Sequence, residues 1–412
     1  MNKKKIINDP IYGFVTIPSE LVFDLMQHRY FQRLRYIKQV SLTHLVYPGA
    51  LHTRFQHAIG AMHLMTRALN ILSGKGISIS EEEREGALAA ILLHDIGHGP
   101  FSHSLEHTLI EEVSHEMLSS ILMDKLNEEF GGKLDLAISI FTDNYPRHFL
   151  HKLVSSHLDT DRMDYLIRDS FYTGVSEGVI SFDRIIKMLN VVDDDIVVES
   201  KGIYSIENFL VARRLMYWQV YFHKAVISAE QMLIKALKRA KYLQLNGKDV
   251  FATPALHHFL AHKITEENFL SEEEHLDYFT QLDDMDIMSG IKVWAHHDDQ
   301  VLSTLCRRLM ERNLFRTEIR NEPLPEVELK EIEEKVIRHF KIKPEDVHYF
   351  VIPHPIQNSA YDTTLDKIKI LQKNGDLEDI ATASDLSNLE SLTKRVQKHT
   401  ISYPKELKLP ND

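Results

Sequence analysis

Ile91-Leu92-Leu93-His94-Asp95-Ile96-Gly97-His98-Gly99-Pro100-Phe101-Ser102-His103 decides how the rest of this chain is read. The apolar run from Ala87 to Leu93 predicts a buried helix that ends on an adjacent imidazole and carboxylate. Gly97 and Gly99 predict a helix C-terminus and tight turns, and Pro100 blocks any continuation. Glu106 follows three residues after His103, and His115 lies a little further on. A lone His-Asp pair at a helix end is more often a cap than a ligand. Here the histidines cluster: ten of the 24 lie between His28 and His115, about twice an even spread, which marks the segment as a site.

The remaining composition narrows the function classes. The 412 residues are 43% hydrophobic and 26% charged, which fits a globular protein with one large domain and a smaller one. Cys306 is the sole cysteine, so internal disulfides and Cys-based zinc knuckles are excluded and a reducing cytoplasm is the expected location. No secretory apolar core or membrane-length apolar run occurs, so no membrane partner is expected. The net charge of −12 argues against general nucleic-acid binding but leaves room for a small anion in a locally basic pocket.

Outward from the central stretch the chain reads as mostly helical. A short extended lead-in with turns at Asn8-Asp9-Pro10 and Tyr12-Gly13 precedes a helix from Ser19 and a second one through Phe31–Gln39, whose long polar side chains suggest a solvated face. After the Tyr47–Ala50 turn, Thr53 and Gln56 have capping-box spacing for a helix ending near Gly74, with His57 one turn inside. Taken alone, that histidine is more often packed than metal-bound. Helices follow at Ser114–Phe130 and from Pro146 to His157. Asp161, Tyr165 and Asp169 then share one helical face in a charge-rich run that by default is surface. A small hairpin turning at Lys201-Gly202 and a long helix from Ser205 to Lys224 come next, and more helices run to about Asn313. Past 325 the texture shifts to a charged helix and alternating segments. The expected architecture is mainly α: a helical domain over 1–325 and a small α+β region over 326–412.

The chemistry follows from residue type. His57, His94, Asp95 and a downstream Asp161 would supply two nitrogens and two carboxylates to one divalent ion, with positions left for water and substrate. Without thiolates that set suits Mn, Fe, Co, Ni or Zn, and Mg less well. Such an ion makes hydroxide available near neutral pH and polarises phosphoryl oxygens, so phosphate-ester or anhydride hydrolysis is the natural reaction. His98, His103 and His115 can protonate a leaving oxygen, and Glu106 can face His103 and fix its tautomer. Three other signals fail. His297-Asp298 lacks the apolar helix and reads as a helix start, Gly131-Gly132-Lys133 lacks phosphate-loop spacing, and no Gly-x-Ser-x-Gly elbow occurs.

These blocks resemble the HD-domain metal-dependent phosphohydrolases. The likeness is closer to the deoxynucleoside triphosphate triphosphohydrolases of the branch that includes the vertebrate SAM- and HD-domain enzyme. It is carried by Ile7–Ile11, Phe31–Gln39, Pro48-Gly49-Ala50, Arg54-Phe55 with His57, His94–His103 and Asp161 with Asp164-Tyr165 and Arg168-Asp169. The resemblance covers roughly residues 5–225, and no SAM domain is present. It implies a helical HD core, metal ligation by His57, His94, Asp95 and Asp161, and acid–base roles for His98, Glu106 and His115, with His103 near the α-phosphate. Arg54, Arg162, Tyr165 and Arg213 would hold the triphosphate, Gln39 and Asp169 would read the sugar 3′-hydroxyl, and Tyr221 would crowd the 2′ position. Arg162 stands where the family has a lysine. The implied reaction turns a dNTP and water into deoxynucleoside and inorganic triphosphate, with Mg accompanying the triphosphate. The family's regulated members are homotetramers with nucleotide activators, so a homo-oligomer (dimer or tetramer) and an activator held by Lys5, Asn8, Gln32 and Arg35 are implied as well. Another nucleotide as substrate, or a non-catalytic nucleotide sensor, are the competing readings.

Overall fold

The computed structural model describes residues 5–101, 108, 110, 113–358, 361, 367–385 and 396–407. It opens on a hairpin, Ile6–Asp9 against Gly13–Thr16, and a helix Glu20–Gln27 whose N-cap Ser19 accepts from Val22 N–H at 3.2 Å. Its centre is a packed set of three helices, Arg54–Gly74, Glu81–Leu93 and Thr160–Thr173. The Arg54–Gly74 helix starts at the expected cap: Gln56 Oε1 accepts from Thr53 N–H at 2.8 Å. The next helix is capped reciprocally, with Glu83 N–H donating to Ser80 Oγ at 3.1 Å and Ser80 N–H to Glu83 Oε2 at 2.8 Å. Every residue from Gly86 to Leu93 is buried, so the apolar run is a core helix. At Gly60 a Cβ would overlap Asp164 and Arg168, and only glycine lets the flanking helices approach this closely.

The protein is mainly α, as expected, but several elements differ from their sequence reading. The helix predicted over Phe31–Gln39 covers only Arg29–Arg33, followed by one 3-10 turn at Leu34–Tyr36. Ile37 to Gln39 turn extended because they bond across to His52–Arg54: Gln39 N–H donates to His52 C=O and Arg54 N–H to Ile37 C=O, both at 3.0 Å. Nor is the segment a solvated face, since Phe31, Arg33 and Leu34 are buried. The helix predicted to reach Lys224 ends at Met216 and widens into a π-helical turn, Tyr217–Tyr221, before Lys224–Leu245 begins. The hairpin exists as Leu189–Val192 against Asp195–Glu199, yet it turns at Asp193-Asp194, both at positive φ, while Lys201-Gly202 lies in a 3-10 turn.

Two sheets cross the division expected at 325/326. Arg316–Arg320 pairs antiparallel with Val396–Tyr403, whose other edge takes Ile352–Asn358. Lys369–Leu371 pairs in parallel with Asp195–Glu199 and antiparallel with Leu377–Asp379. Strands from the last ninety residues are thus hydrogen-bonded to strands contributed before 325. Among the described residues no helix is long and apolar enough to cross a membrane.

Candidate metal centre

His94 caps the buried Glu81–Leu93 helix, and its Nδ1 lies 2.7 Å from the Ile91 carbonyl oxygen. His57, fully buried one turn into its helix, has Nδ1 2.8 Å from Asp164 Oδ2. With both Nδ1 atoms donating, each Nε2 lone pair points inward. The two Nε2 atoms lie 3.4 Å apart, and Asp161 Oδ1 stands 3.0 Å from His57 Nε2 and 3.5 Å from His94 Nε2. The ligand atoms of His57, His94 and Asp161 all fall within 4.8 Å of one another. Asp95 borders the same space, with Oδ1 3.3 Å from His94 Nε2 and Oδ2 3.7 Å from His57 Nε2, while Arg54 binds its Oδ2.

Two facing lone pairs and a carboxylate oxygen repel each other unless a proton or a metal cation sits among them, and an imidazole–imidazole–carboxylate donor set of this kind fits a divalent metal. The electrostatics agree. Burial alone would lower the His57 pKa, but its hydrogen bonds to Asp161 and Asp164 carry it up to about 10. Burial works against the Asp161 charge too, and the two imidazoles outweigh it, holding its pKa far below the usual carboxylate range. The pocket demands positive charge. The imidazole–carboxylate set belongs to first-row divalent ions, and nothing in it picks one of them.

A second layer fixes this geometry. Asp164 receives Arg168 Nε and Nη2, both at 2.9 Å, and Arg168 Nη1 reaches Asp9 Oδ2 at 2.9 Å, all buried. The default surface reading of the Asp161–Asp169 run is therefore wrong on its inner side: Asp164, Arg168 and Asp169 are buried and their charges pair with one another or with partners brought from far along the chain. Gly97 serves by closeness, not by φ, because a Cβ there would overlap the backbone of His115 and Ser119, and Ser119 Oγ bonds both Gly97 N–H (3.0 Å) and His94 C=O (2.8 Å). Arg33, also buried, donates to the carbonyls of Ile96 (2.8 Å), His98 (2.9 Å) and Leu282 (3.1 Å).

The other expected site residues surround one cavity of about 530 Å³. Asp95, Asp161, His98 and His115 line it together with Gln39, Arg54, Arg162, Tyr165, Asp169, Arg213 and Tyr221. His98 stacks on His115 with ring centroids 3.9 Å apart, and burial next to Arg54 keeps His98 neutral. Arg162 is held by the N-cap Asp159 and the Ser156 carbonyl. Tyr221 donates to Asp169 Oδ2 at 2.5 Å, and His52, unremarked in the sequence, meets Asp169 Oδ1 at 2.7 Å. His103 and Glu106 lie outside the described residues. Of the four residues expected around an activator, Arg35 donates to Gln32 Oε1 at 2.8 Å and lies over the Phe55 ring, and Lys5 lies over Phe23. Asn8 sits in the first hairpin, and among the described residues no hydrogen bond joins Lys5 or Asn8 to Gln32 or Arg35.

The fold and the centre define a metal-dependent phosphohydrolase of the HD class. The HD domain family matches residues 54–169, and the HD associated region matches residues 180–250. YwfO of Bacillus subtilis (strain 168) is 34% identical over 423 residues, covering 99% of this chain and 94% of the relative. A phosphohydrolase crystal structure from Bacteroides thetaiotaomicron is 52% identical, with a TM-score of 0.94 over 97% of this chain and 100% of that one. The human protein named deoxynucleoside triphosphate triphosphohydrolase SAMHD1 is 28% identical over 288 residues, 59% of this chain and 46% of that protein. The match thus spans about half of that relative's length. The chain belongs to the HD-domain family that contains the deoxynucleoside triphosphate triphosphohydrolases.

Proposed function

We propose that this protein hydrolyses dNTPs to deoxynucleoside and inorganic triphosphate. The observation that carries the reading is the single cavity joining Asp95 and Asp161 to Arg162, Arg213 and the Asp169–Tyr221 pair. Arginines beside a metal centre suit a polyphosphate, and a carboxylate already bonded to a tyrosine hydroxyl suits the edge of a sugar. A divalent ion held by His57, His94, Asp95 and Asp161 would supply hydroxide near neutral pH and polarise the α-phosphoryl oxygen. Arg54 holds Asp95 in place, and Arg162 and Arg213 take the phosphate charge, with Mg carried on the triphosphate itself. Cleavage of the bond between the α-phosphorus and O5′ leaves an alkoxide that needs a proton. The His98–His115 stack provides imidazoles for that transfer, and Glu116 Oε1, 3.1 Å from His115 Nε2, is a partner for a protonated ring. Asp169 and Gln39 would hold the 3′-hydroxyl while Tyr221 crowds the 2′ position. A nucleotide activator at Lys5, Asn8, Gln32 and Arg35, and assembly as a homo-oligomer, belong to the same reading.

The deciding experiment incubates the metal-loaded protein with each dNTP, with and without GTP, and separates triphosphate from pyrophosphate by anion exchange. Triphosphate with free deoxynucleoside is expected. Pyrophosphate with a nucleoside monophosphate, or hydrolysis of other nucleotides alone, overturns the proposal.

A further inference from the structure

The helix Lys224–Leu245 and the strand Ile352–Asn358 close the cavity on a side that the metal ligands do not supply. Val226 and Ile234 make part of that wall apolar, and three polar side chains interrupt it, Glu230, Gln231 and His354. Gln231 is 9% exposed, and its amide has no hydrogen-bond partner among the described residues. The His354 ring is likewise unbonded, although its backbone is fastened where Thr400 Oγ1 donates to its carbonyl at 2.7 Å. Both groups face the cavity, where a molecule held inside can take up their hydrogen bonds.

We propose that Gln231 and His354 form the base-reading end of the cavity, which makes a strand of the C-terminal region part of the substrate site. This inference rests on the dNTP reading above. An aromatic heterocycle fits there, since its faces meet Val226 and Ile234 while its edge offers donors and acceptors. Burial lowers the His354 pKa, so the ring is neutral and presents one donor and one acceptor. Both polar groups can exchange those roles, the imidazole by changing tautomer and the amide by turning over. Beside the Glu230 carboxylate, which only accepts, these two role-swapping groups can meet each of the four bases, so the parent protein should turn over all four dNTPs at comparable kcat/KM.

The test compares the four dNTPs with 2-deoxyribose 5-triphosphate, which keeps the sugar and phosphates and lacks the base. In Gln231→Leu and in His354→Ala, the ratio of kcat/KM for a dNTP to that for the base-free compound should fall about five-fold or more, chiefly through KM. The four dNTPs should also cease to be comparable. His354 is on a partly exposed strand, so its variant remains informative if Gln231→Leu fails to fold. An unchanged ratio in a folded variant overturns the inference and leaves the dNTP reading intact. A parent that releases triphosphate from no dNTP overturns both.

Discussion

Asp164 Oδ2 sits 2.8 Å from His57 Nδ1 while the same carboxylate takes two nitrogens of Arg168. Asp164 is thus the hinge between a metal-ligating imidazole and a buried ion network that reaches back to Asp9. Burial alone would raise the Asp164 pKa; Arg168 and His57 reverse that and hold it at about 2, so the carboxylate is charged across the physiological range.

Asp164→Asn should therefore weaken metal binding about 10–100-fold while all the direct ligands remain, because the His57 tautomer is no longer enforced. Asp161→Ala should abolish stoichiometric metal and turnover with the fold retained. Metal content by mass spectrometry, read beside activity, separates the two. Full metal loading of Asp164→Asn at parental affinity would show that the His57 orientation is set elsewhere.

Gly97→Ala should destabilise the protein by about 1–3 kcal/mol, because the added methyl must push apart the turn and the first turn of His115–Glu129. The same displacement moves His98 away from Asp95, so kcat should fall in the molecules that remain folded. Urea unfolding with single-turnover assays measures both. A stable, fully active variant would mean that the His115–Glu129 helix can retreat at no cost.

Tyr221→Ala should relax discrimination against ribonucleotides, whereas Tyr221→Phe should keep the ring's bulk and lose only the bond to Asp169. The measurement is the ratio of kcat/KM for each dNTP to its ribo counterpart. If that ratio is the same in parent and Tyr221→Ala, crowding by this tyrosine is discarded.

Asp284 accepts Lys38 N–H at 3.0 Å and Phe101 N–H at 2.8 Å, yet burial outweighs these bonds and raises its pKa from 3.8 to about 6. Between about pH 4 and 6 the unfolded chain has released this proton and the folded chain has not. Stability from this group therefore falls as pH rises through that window, by about 3 kcal/mol in all. Asp284→Asn removes the titration, so the variant's stability relative to the parent should climb between pH 4 and 6 and stay level outside it. A flat difference across chemical denaturation curves from pH 4 to 7 would contradict this.

Local signals explain what was legible in the sequence. Ser19 and Ser114 cap helices with their side chains where the sequence places helix starts, and Gln56 closes back on Thr53 as the capping-box spacing predicts, because a cap is decided within four residues. Residue type marked His57, His94 and Asp161 as donors and the resemblance joined them in one set, whereas their meeting carries no local sign because they lie up to about a hundred positions apart. Long-range pairing hid the rest. Ile37–Gln39 leave the helix to bond His52–Arg54, Arg33 turns inward to reach carbonyls more than sixty residues away, and Arg168 finds Asp9. Asp9 was readable as a turn residue, and its Oδ1 does accept Ile11 N–H at 2.9 Å, but its other oxygen carries a buried ion pair that the turn gave no hint of. His354 and Gln231 had no motif at all.

The central position of Val396–Tyr403, between Arg316–Arg320 and Ile352–Asn358, also sets a timetable. During synthesis, the segment bearing His354 emerges with no neighbour to hold it flat and must wait for some forty more residues before its pairing strand exists. A nascent chain that has already placed His57, His94 and Asp161 still lacks the paired strand that carries His354 to the cavity wall, so that flank of the cavity closes last.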